Sequence, residues 1–337
     1  MKLLQGFKVN ITENYWSLAF LNVQNFSRNF ALMMNDTLIK FHILPFSSEA
    51  NDKLLILGIF LIIYVTGIFL NSVVVAVICL DVHLHSPMYV FFCNLSSIDI
   101  CYTTAVIPKL IYILLSGDDL LSVTQCFTQT YFYIICASAE DTLLFVMGFD
   151  RYVAICHPLS YHRILNKKIC ILIMVTIWIA ATLNASLFLY FLLKMPFCGV
   201  ASVQNFFCDA MDIFNASCGG SCEFMILFYA NLVVFGFFPV FCNVLSYVNI
   251  VRVISRLKSK EGRRKTFSTC SSHLIVMTIY YSTSSITYLA SFSDHTEIMK
   301  QILSAFYVTV VPMINPLIYS LRNNEMIKSC RKLIKMK

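Results

Sequence analysis

Seven stretches of roughly 20 or more mostly apolar residues recur along this 337-residue chain, and that recurrence restricts its fold more than any other feature. They lie near Leu54–Leu80, Pro87–Leu115, Phe127–Arg151, Cys170–Leu193, Glu223–Ile254, Ser268–Ser291 and Lys300–Leu321. Wound as an α-helix, each is long enough to cross the hydrocarbon core of a bilayer. There the backbone must satisfy its own hydrogen bonds, which leaves helices or closed barrels. Hydrophobic residues are 58% of the chain and charged ones 13%. A soluble protein carries about 25% charged residues, so most of this chain cannot face water. The expected architecture is all-α, a seven-helix membrane bundle over residues 51–321, with an N-terminal segment 1–50 and a short tail 322–337. Met1 to Asn10 has no apolar core of the kind a cleaved signal peptide carries, so the first span is expected to act as its own insertion signal.

Short-loop lysines and arginines mark the cytoplasmic side of a membrane protein. The linker after the fifth span carries Arg252, Arg256, Lys258, Lys260, Arg263, Arg264 and Lys265; the linker after the third carries Arg163, Lys167 and Lys168. The tail adds Arg322, Lys328, Arg331, Lys332, Lys335 and Lys337, and with Arg151 these make 17 of the 25 Lys and Arg. The opposite loops hold Asp118, Asp119, Asp209, Asp212, Asp294 and Glu297. The expected N-terminus is therefore outside and the tail inside. The net charge of +7 is spread over loop ends, not gathered for nucleic acid. In the tail, Met326, Ile327 and Ile334 alternate with lysines, as in a helix lying on anionic lipid; a disordered basic tail is the alternative. Asn35, Asn10 and Asn25 head glycosylation sequons before the first span, and Asn215 heads one in the long outer loop. Asn94 heads another but lies inside the second span.

Ionisable and amide side chains inside a bilayer are costly and mark function or interhelical contacts. Asn71, Asp99, Glu140 and Asn315, with Asp141, fall at similar depth in four spans and form a candidate polar cluster, able to hold a small cation such as Na⁺. Intramembrane carboxylates also suit a proton-coupled transporter, but the repeats and broken helices of that class do not stand out here. Asp150-Arg151-Tyr152 closes the third span; Arg151 can pair with Asp150 and, when freed, reach toward a cytoplasmic partner. Asn315-Pro316-Leu317-Ile318-Tyr319 closes the seventh, where Pro316 breaks a backbone hydrogen bond and Asn315 is expected to cover the freed groups. His83 with His85, and Cys270 with His273, have ligand-like spacing but no third ligand or oriented base, so neither a metal site nor an enzyme is expected.

From about Asn35 to Lys328 the chain resembles the olfactory receptor family of rhodopsin-like G protein-coupled receptors. The matching motifs are Leu84-His85-Ser86-Pro87-Met88-Tyr89, the run Met147-Gly148-Phe149-Asp150-Arg151-Tyr152-Val153-Ala154-Ile155-Cys156-His157-Pro158-Leu159, Ser246-Tyr247, Lys265-Thr266-Phe267-Ser268-Thr269-Cys270-Ser271-Ser272-His273-Leu274 and Pro312-Met313-Ile314-Asn315-Pro316-Leu317-Ile318-Tyr319-Ser320-Leu321-Arg322-Asn323. Departures are Gly148 and Phe149 where the family has Ala and Tyr, Ser282 for Gly, and Asn205 for His; they bear on tuning and basal activity. Met33 or Met34 before Asn35-Asp36-Thr37 resembles the usual family start, which makes residues 1–33 an extension.

The resemblance implies a small volatile odorant as ligand, a stimulatory heterotrimeric G protein raising cAMP as partner, and the plasma membrane of olfactory cilia as location. A metabolite receptor outside the nose is the nearest alternative. The outward cysteines Cys126, Cys198, Cys208 and Cys218 allow three pairings; the resemblance implies Cys126–Cys208 and Cys198–Cys218, leaving Cys222. Helical spacing together with family position puts Tyr133, Ile134, Ala137 and Ser138 of the third span, Asn231 and Phe235 of the fifth, and Tyr281, Ser284, Ser285 and Tyr288 of the sixth around the ligand. No acidic residue faces that group, since Glu140 and Asp141 lie deeper, which favours a neutral ligand over an amine. Asp150, Arg151, Tyr152, Tyr247, His273, Asn315, Pro316 and Tyr319 form the implied coupling switch, with Tyr281 the expected link to the ligand.

Overall fold

In the computed structural model, residues 40–43, 46, 50–197, 200–256, 259–290, 297–321 and 324–335 are described. The expected glycosylation sites Asn10, Asn25 and Asn35, residues 1–33, Cys198, and the side chain of Tyr288 lie outside them. Seven long helices follow one another: α1 (Ala50–Leu80), α2 (Pro87–Ser116), α3 (Val123–Cys156), α4 (Lys167–Leu193), α5 (Cys222–Arg256), α6 (Lys260–Ala290) and α7 (297–321). A tail helix, α8 (Asn324–Lys335), comes last. Local chemistry sets several starts and stops. Pro87 occupies the first turn of α2, where its missing N–H costs nothing, and Gly117 ends the helix at φ 71° with its N–H on the Ile113 carbonyl. α3 starts at Val123, ahead of the expected Phe127, because Ser122 and Gln125 close a reciprocal capping box. Asn166 accepts the Ile169 N–H at the start of α4, and Ser221 the Phe224 N–H at the start of α5.

Among the described residues, six helices are long and apolar enough to cross a membrane. The exception is α6, although its sequence places it among the seven expected spans. Its length suffices, but serines and threonines dilute it. Many of them fold their hydroxyls back onto the helix: Thr278 onto the Leu274 carbonyl, Thr283 onto that of Ile279 and Thr287 onto that of Thr283. Such internal pairing lowers the cost of placing a hydroxyl in a bilayer.

The long central helix α3 packs on α2, α4 and α5, while α1 packs on α2 and α7. The lateral surface is apolar: Leu54, Ile62, Phe69, Leu183, Ile226 and Phe237 are all more than half exposed. On a soluble monomer such a continuous belt would be a liability; in lipid it is the solvated face. Two π turns, Leu232–Phe237 in α5 and Phe306–Val310 in α7, each add a residue to the turn and rotate the rest of the helix about its axis.

One end of the bundle is capped by a small sheet of three strands in the order β2-β1-β3: β1 (Lys40–Ile43), β2 (Leu120–Ser122) and β3 (Val200–Val203). β1 runs antiparallel to β2 and parallel to β3, so the leading segment is the middle strand. His42 also pairs with Asp119 at 2.9 Å. The opposite end carries the basic linkers and α8. There the tail is fastened to the turn after α1: Ser329 donates to Asp81 at 2.6 Å, Tyr89 donates to Glu325 at 2.8 Å, and Met326 is buried beneath. Hydrogen bonds from Ser329 and His83 hold the Asp81 carboxyl well below the usual carboxylate range.

Candidate functional site

The cap over the sheet end is held by α3. Cys126 is disulfide-bonded to Cys208 across 82 residues, with the two Cα atoms 5.4 Å apart. The backbone of Cys208 is gripped twice more: its N–H donates to Gln129 Oε1 at 2.9 Å, and its carbonyl accepts from the Thr130 hydroxyl at 2.7 Å. Cys218 is also in a disulfide, while Cys222 carries a free, exposed thiol. A short helix, Ala210–Asn215, rides on this loop with Asp209 capping the Met211 N–H at 3.0 Å, and Asn215 is exposed at its end. Asn205, at the position where the resembling family has His, donates to Asp212 at 2.9 Å. Burial and the neighbouring Asp212 charge push the Asp209 carboxyl up to about 7.

Beneath the cap, the residues expected around a ligand fall into two groups. Tyr133 is buried, stacks on Tyr102 of α2 with centroids 5.1 Å apart and meets Phe207 of the cap at 5.0 Å. Tyr102 in turn stands edge-on to Tyr307, whose hydroxyl donates to Tyr280 at 3.0 Å. Ser138 and Asn231 are joined through α4: Asn184 donates to the Ser138 hydroxyl and accepts from the Asn231 amide, both at 2.8 Å. Ile134 is buried beside them, and Ala137, Phe235, Tyr281 and Ser284 are half-buried, whereas Ser285 is exposed. Asn184, Tyr102, Tyr280 and Tyr307 are additions to the site that helical spacing within three spans did not reach. Asn184, a buried amide inside an apolar span, carried the one available signal.

Deeper in the bundle, Asn315 donates to both carboxylate oxygens of Asp99, at 3.2 and 3.3 Å. Glu140 is 1% exposed, and among the described residues its Oε1 has no hydrogen-bond partner. Asn71 behaves differently from the expected cluster. Its amide donates to the carbonyls of Gly67 and Pro312, each at 3.0 Å. Pro312 stands four residues before Pro316, so its carbonyl is the one that Pro316 leaves without an N–H. The freed group is thus covered by Asn71 from α1, and not by Asn315 as the sequence suggested; Asn315 is turned toward Asp99 instead.

At the basic end, Asp150 is 1% exposed and receives Arg151 Nε at 2.9 Å, a second guanidinium contact through Arg151 Nη2, and the Tyr161 hydroxyl at 2.8 Å. Tyr161 lies in the short helix Tyr161–Ile164 after α3 and is a partner sequence reasoning missed. Tyr152 meets His157 Nε2 at 3.2 Å. Tyr247 of α5 and His273 of α6 share a hydrogen bond of 2.7 Å, with Cys270 beside them. Tyr319 is buried against Phe92 with centroids 4.3 Å apart. His83 pairs with Asp81, and His85 Nε2 contacts the Ile78 carbonyl, so both serve the turn after α1.

Between these two ends sits a close helix crossing. A Cβ built on Gly148 of α3 would lie 2.0 Å from Asn243 Oδ1 and 3.0 Å from its Cγ. Asn243 reaches this far because position 148 has no side chain, and from there its amide donates to the Tyr281 hydroxyl at 3.4 Å. One glycine lets α5 touch α3 and α6 together.

Similarity to known proteins bears on the same residues. Positions 60–337 match the family model described as olfactory receptor. The human protein "Olfactory receptor 2A12" is 37% identical over 283 residues, covering 84% of this chain and 91% of the relative. Human "Olfactory receptor 10A7" is 36% identical over 88% of this chain and 94% of its own length. Among solved structures, squid rhodopsin superposes with a TM-score of 0.67 at 16% identity, covering 83% of this chain and 85% of that one, which is a likeness of fold. The fold, the family model and these relatives agree: the chain is a multi-pass plasma-membrane receptor, not an enzyme, and it belongs to the olfactory receptor family.

Proposed function

We propose that this receptor binds a small, neutral volatile molecule beneath the sheet cap and activates a stimulatory heterotrimeric G protein, raising cAMP, at the basic end. In this reading the sheet end is extracellular and the basic end cytoplasmic, in line with the bias of lysine and arginine. The ligand meets the Tyr133 aromatic stack and the Ser138–Asn184–Asn231 hydrogen-bond chain. A mostly apolar wall with a few placed polar groups is what small-ligand sites offer. The ligand acts by preferring one conformer of the bundle, and shifts the equilibrium only by its differential affinity. In this scheme Tyr281 relays the change; the reading is supported by its hydrogen bond with Asn243, which packs on Gly148, on the same two helices as Tyr247 and Arg151.

The observation that carries the reading is the closed latch at the end of α3, where Asp150 holds both Arg151 and Tyr161. Opening it frees a guanidinium beside the Tyr247–His273 pair, forming a groove for an apolar helix of the partner. Arg151→Ala should abolish odorant-evoked cAMP while surface expression is kept; a full response in that variant would refute the scheme. Screening volatile panels with chains started at Met1 and at Met34 supplies the ligand for that assay. The Asp99 carboxylate and the unpartnered Glu140 Oε1 suit a small cation such as Na⁺ in the bundle core. Replacing Na⁺ by a larger organic cation should raise basal signalling in the wild type and leave Glu140→Gln unchanged.

A further inference from the structure

A cavity of about 700 Å³ opens on the flank of the sheet end, apart from the site beneath the cap. Its walls come from α2 (Pro108, Lys109, Tyr112), Asp118 and Leu120 of the segment between α2 and α3, and Lys40 of β1. Lys109 is the unusual member. It stands seven residues before Ser116, the end of α2, hence roughly 10 Å inside that end at ~1.5 Å per residue. From there its flexible stem carries the ammonium toward the cavity and the polar edge of the helix end. Among the described residues Lys109 makes no ion pair; its ammonium lies over the Tyr112 ring, 4.5 Å from the centroid. Lys40 makes no ion pair among them either, although its strand brings it over the same cavity. Asp118 is an anion on the same wall but forms no ion pair with either lysine among the described residues; its carboxylate accepts the Leu120 N–H at 3.3 Å, so the two lysines leave the wall with an excess of positive charge. Ser122 and Gln125, on the same wall, are committed to the capping box of α3.

Two such cations facing one cavity with a proline, a tyrosine ring and a leucine on its walls describe a receptor for a particular chemistry. We propose that this cavity is a second ligand site, taking an amphiphile with an anionic phosphate or carboxylate head on Lys40 and Lys109 and its alkyl chain along Pro108, Tyr112 and Leu120. Because Lys40 belongs to the middle strand of the cap, an occupant bridges the cap to α2.

The test uses full-length receptor in phosphatidylcholine nanodiscs, with dodecyl phosphate as probe and dodecanol as its uncharged counterpart, read by native mass spectrometry. Dodecyl phosphate should bind saturably at one per receptor, weaken as salt rises, and lose roughly tenfold or more in affinity in the Lys40→Gln/Lys109→Gln variant, as loss of charge-assisted contacts implies. Dodecanol should bind weakly and equally to both proteins. Unchanged dodecyl phosphate binding in the double variant, or dodecanol binding as well as the phosphate, would overturn the proposal; so would a salt-independent affinity. Melting temperature checks that the variant is folded, and single Lys109→Gln, with Lys40 intact, covers the case where the double variant is not. Nanodiscs containing phosphatidylserine distinguish the source: displacement of the probe there assigns the site to a bilayer lipid, and retention assigns it to a free amphiphile. The readout is binding, so it stands whether or not any odorant evokes cAMP.

Discussion

Gly148→Ala isolates the contact between α3 and α5 with a single methyl group. The new Cβ would lie 2.0 Å from Asn243 Oδ1, so the Asn243 side chain must retreat by roughly 1 Å or more to regain a normal contact. Overpacking of this kind costs about 1–3 kcal/mol, while replacing a mid-helix glycine by alanine returns about 0.5–1 kcal/mol. The net expectation is a receptor destabilised by up to about 2 kcal/mol. On an Asn243→Ala background the obstructing amide is gone, and the same substitution should stabilise by about 0.5–1 kcal/mol. The sign therefore reverses, with a coupling energy of about 1–3 kcal/mol across the double-mutant cycle. Thermal unfolding of the four purified forms in one lipid composition measures it, and basal cAMP in cells reports whether Tyr281 loses its partner. If Gly148→Ala raised the melting temperature equally in both backgrounds, the two residues would not be in contact and the close crossing would be refuted.

Asn184→Ala should uncouple Ser138 from Asn231, leave two polar groups short of a partner at about 1–3 kcal/mol, and shift the odorant dose–response more than the maximal signal. Asp209 has its carboxyl raised to about 7 from an unfolded value near ~3.9, so its contribution is greatest below the unfolded value and is lost as pH rises through about 4–7. Asp209→Asn still caps the Met211 N–H and should flatten that decline, which melting curves from pH 4.5 to 8 would reveal; an unchanged slope counts against the assignment. Replacing Cys126 and Cys208 by serine removes a link closing 82 residues, costing about 2–5 kcal/mol, seen as lost surface expression at 37 °C. Tyr161→Phe removes one hydrogen bond from Asp150 while leaving Arg151 in place, and should raise basal cAMP.

Much of the bundle is legible in the sequence because its solvent is lipid. A span must be apolar over some 20 residues, and such runs leave little room for another reading. α6 is the informative exception: several of its hydroxyls, those of Thr278, Thr283 and Thr287 among them, bond back onto the helix, so it forms without the apolar excess of the others. The three strands escaped notice because segments of three or four residues are too short to show alternation. The switch motifs were readable as residue types, but their partners were not, since Tyr161 and Asn71 meet Asp150 and the Pro312 carbonyl only through tertiary contact. In α5 a helical wheel drawn from one end misplaces the other. Asn231 lies before the π turn and Asn243 and Tyr247 after it, and the extra residue turns their face around the axis. Gly148 stands out as a departure from the family pattern, but its partner Asn243 does not, since the two meet only across the α3–α5 contact.

The weak point that Pro316 puts into α7 is stiffened by a different helix. Bending at Pro316 moves the Pro312 carbonyl, and that oxygen is tied to an amide anchored in α1. A hinge fastened across an interface works like a spring clip: its resting tension is set by how firmly the neighbour holds on. In the proposed signalling scheme, resting tone would then be set in part from α1, a helix that mostly faces lipid, away from both proposed binding ends.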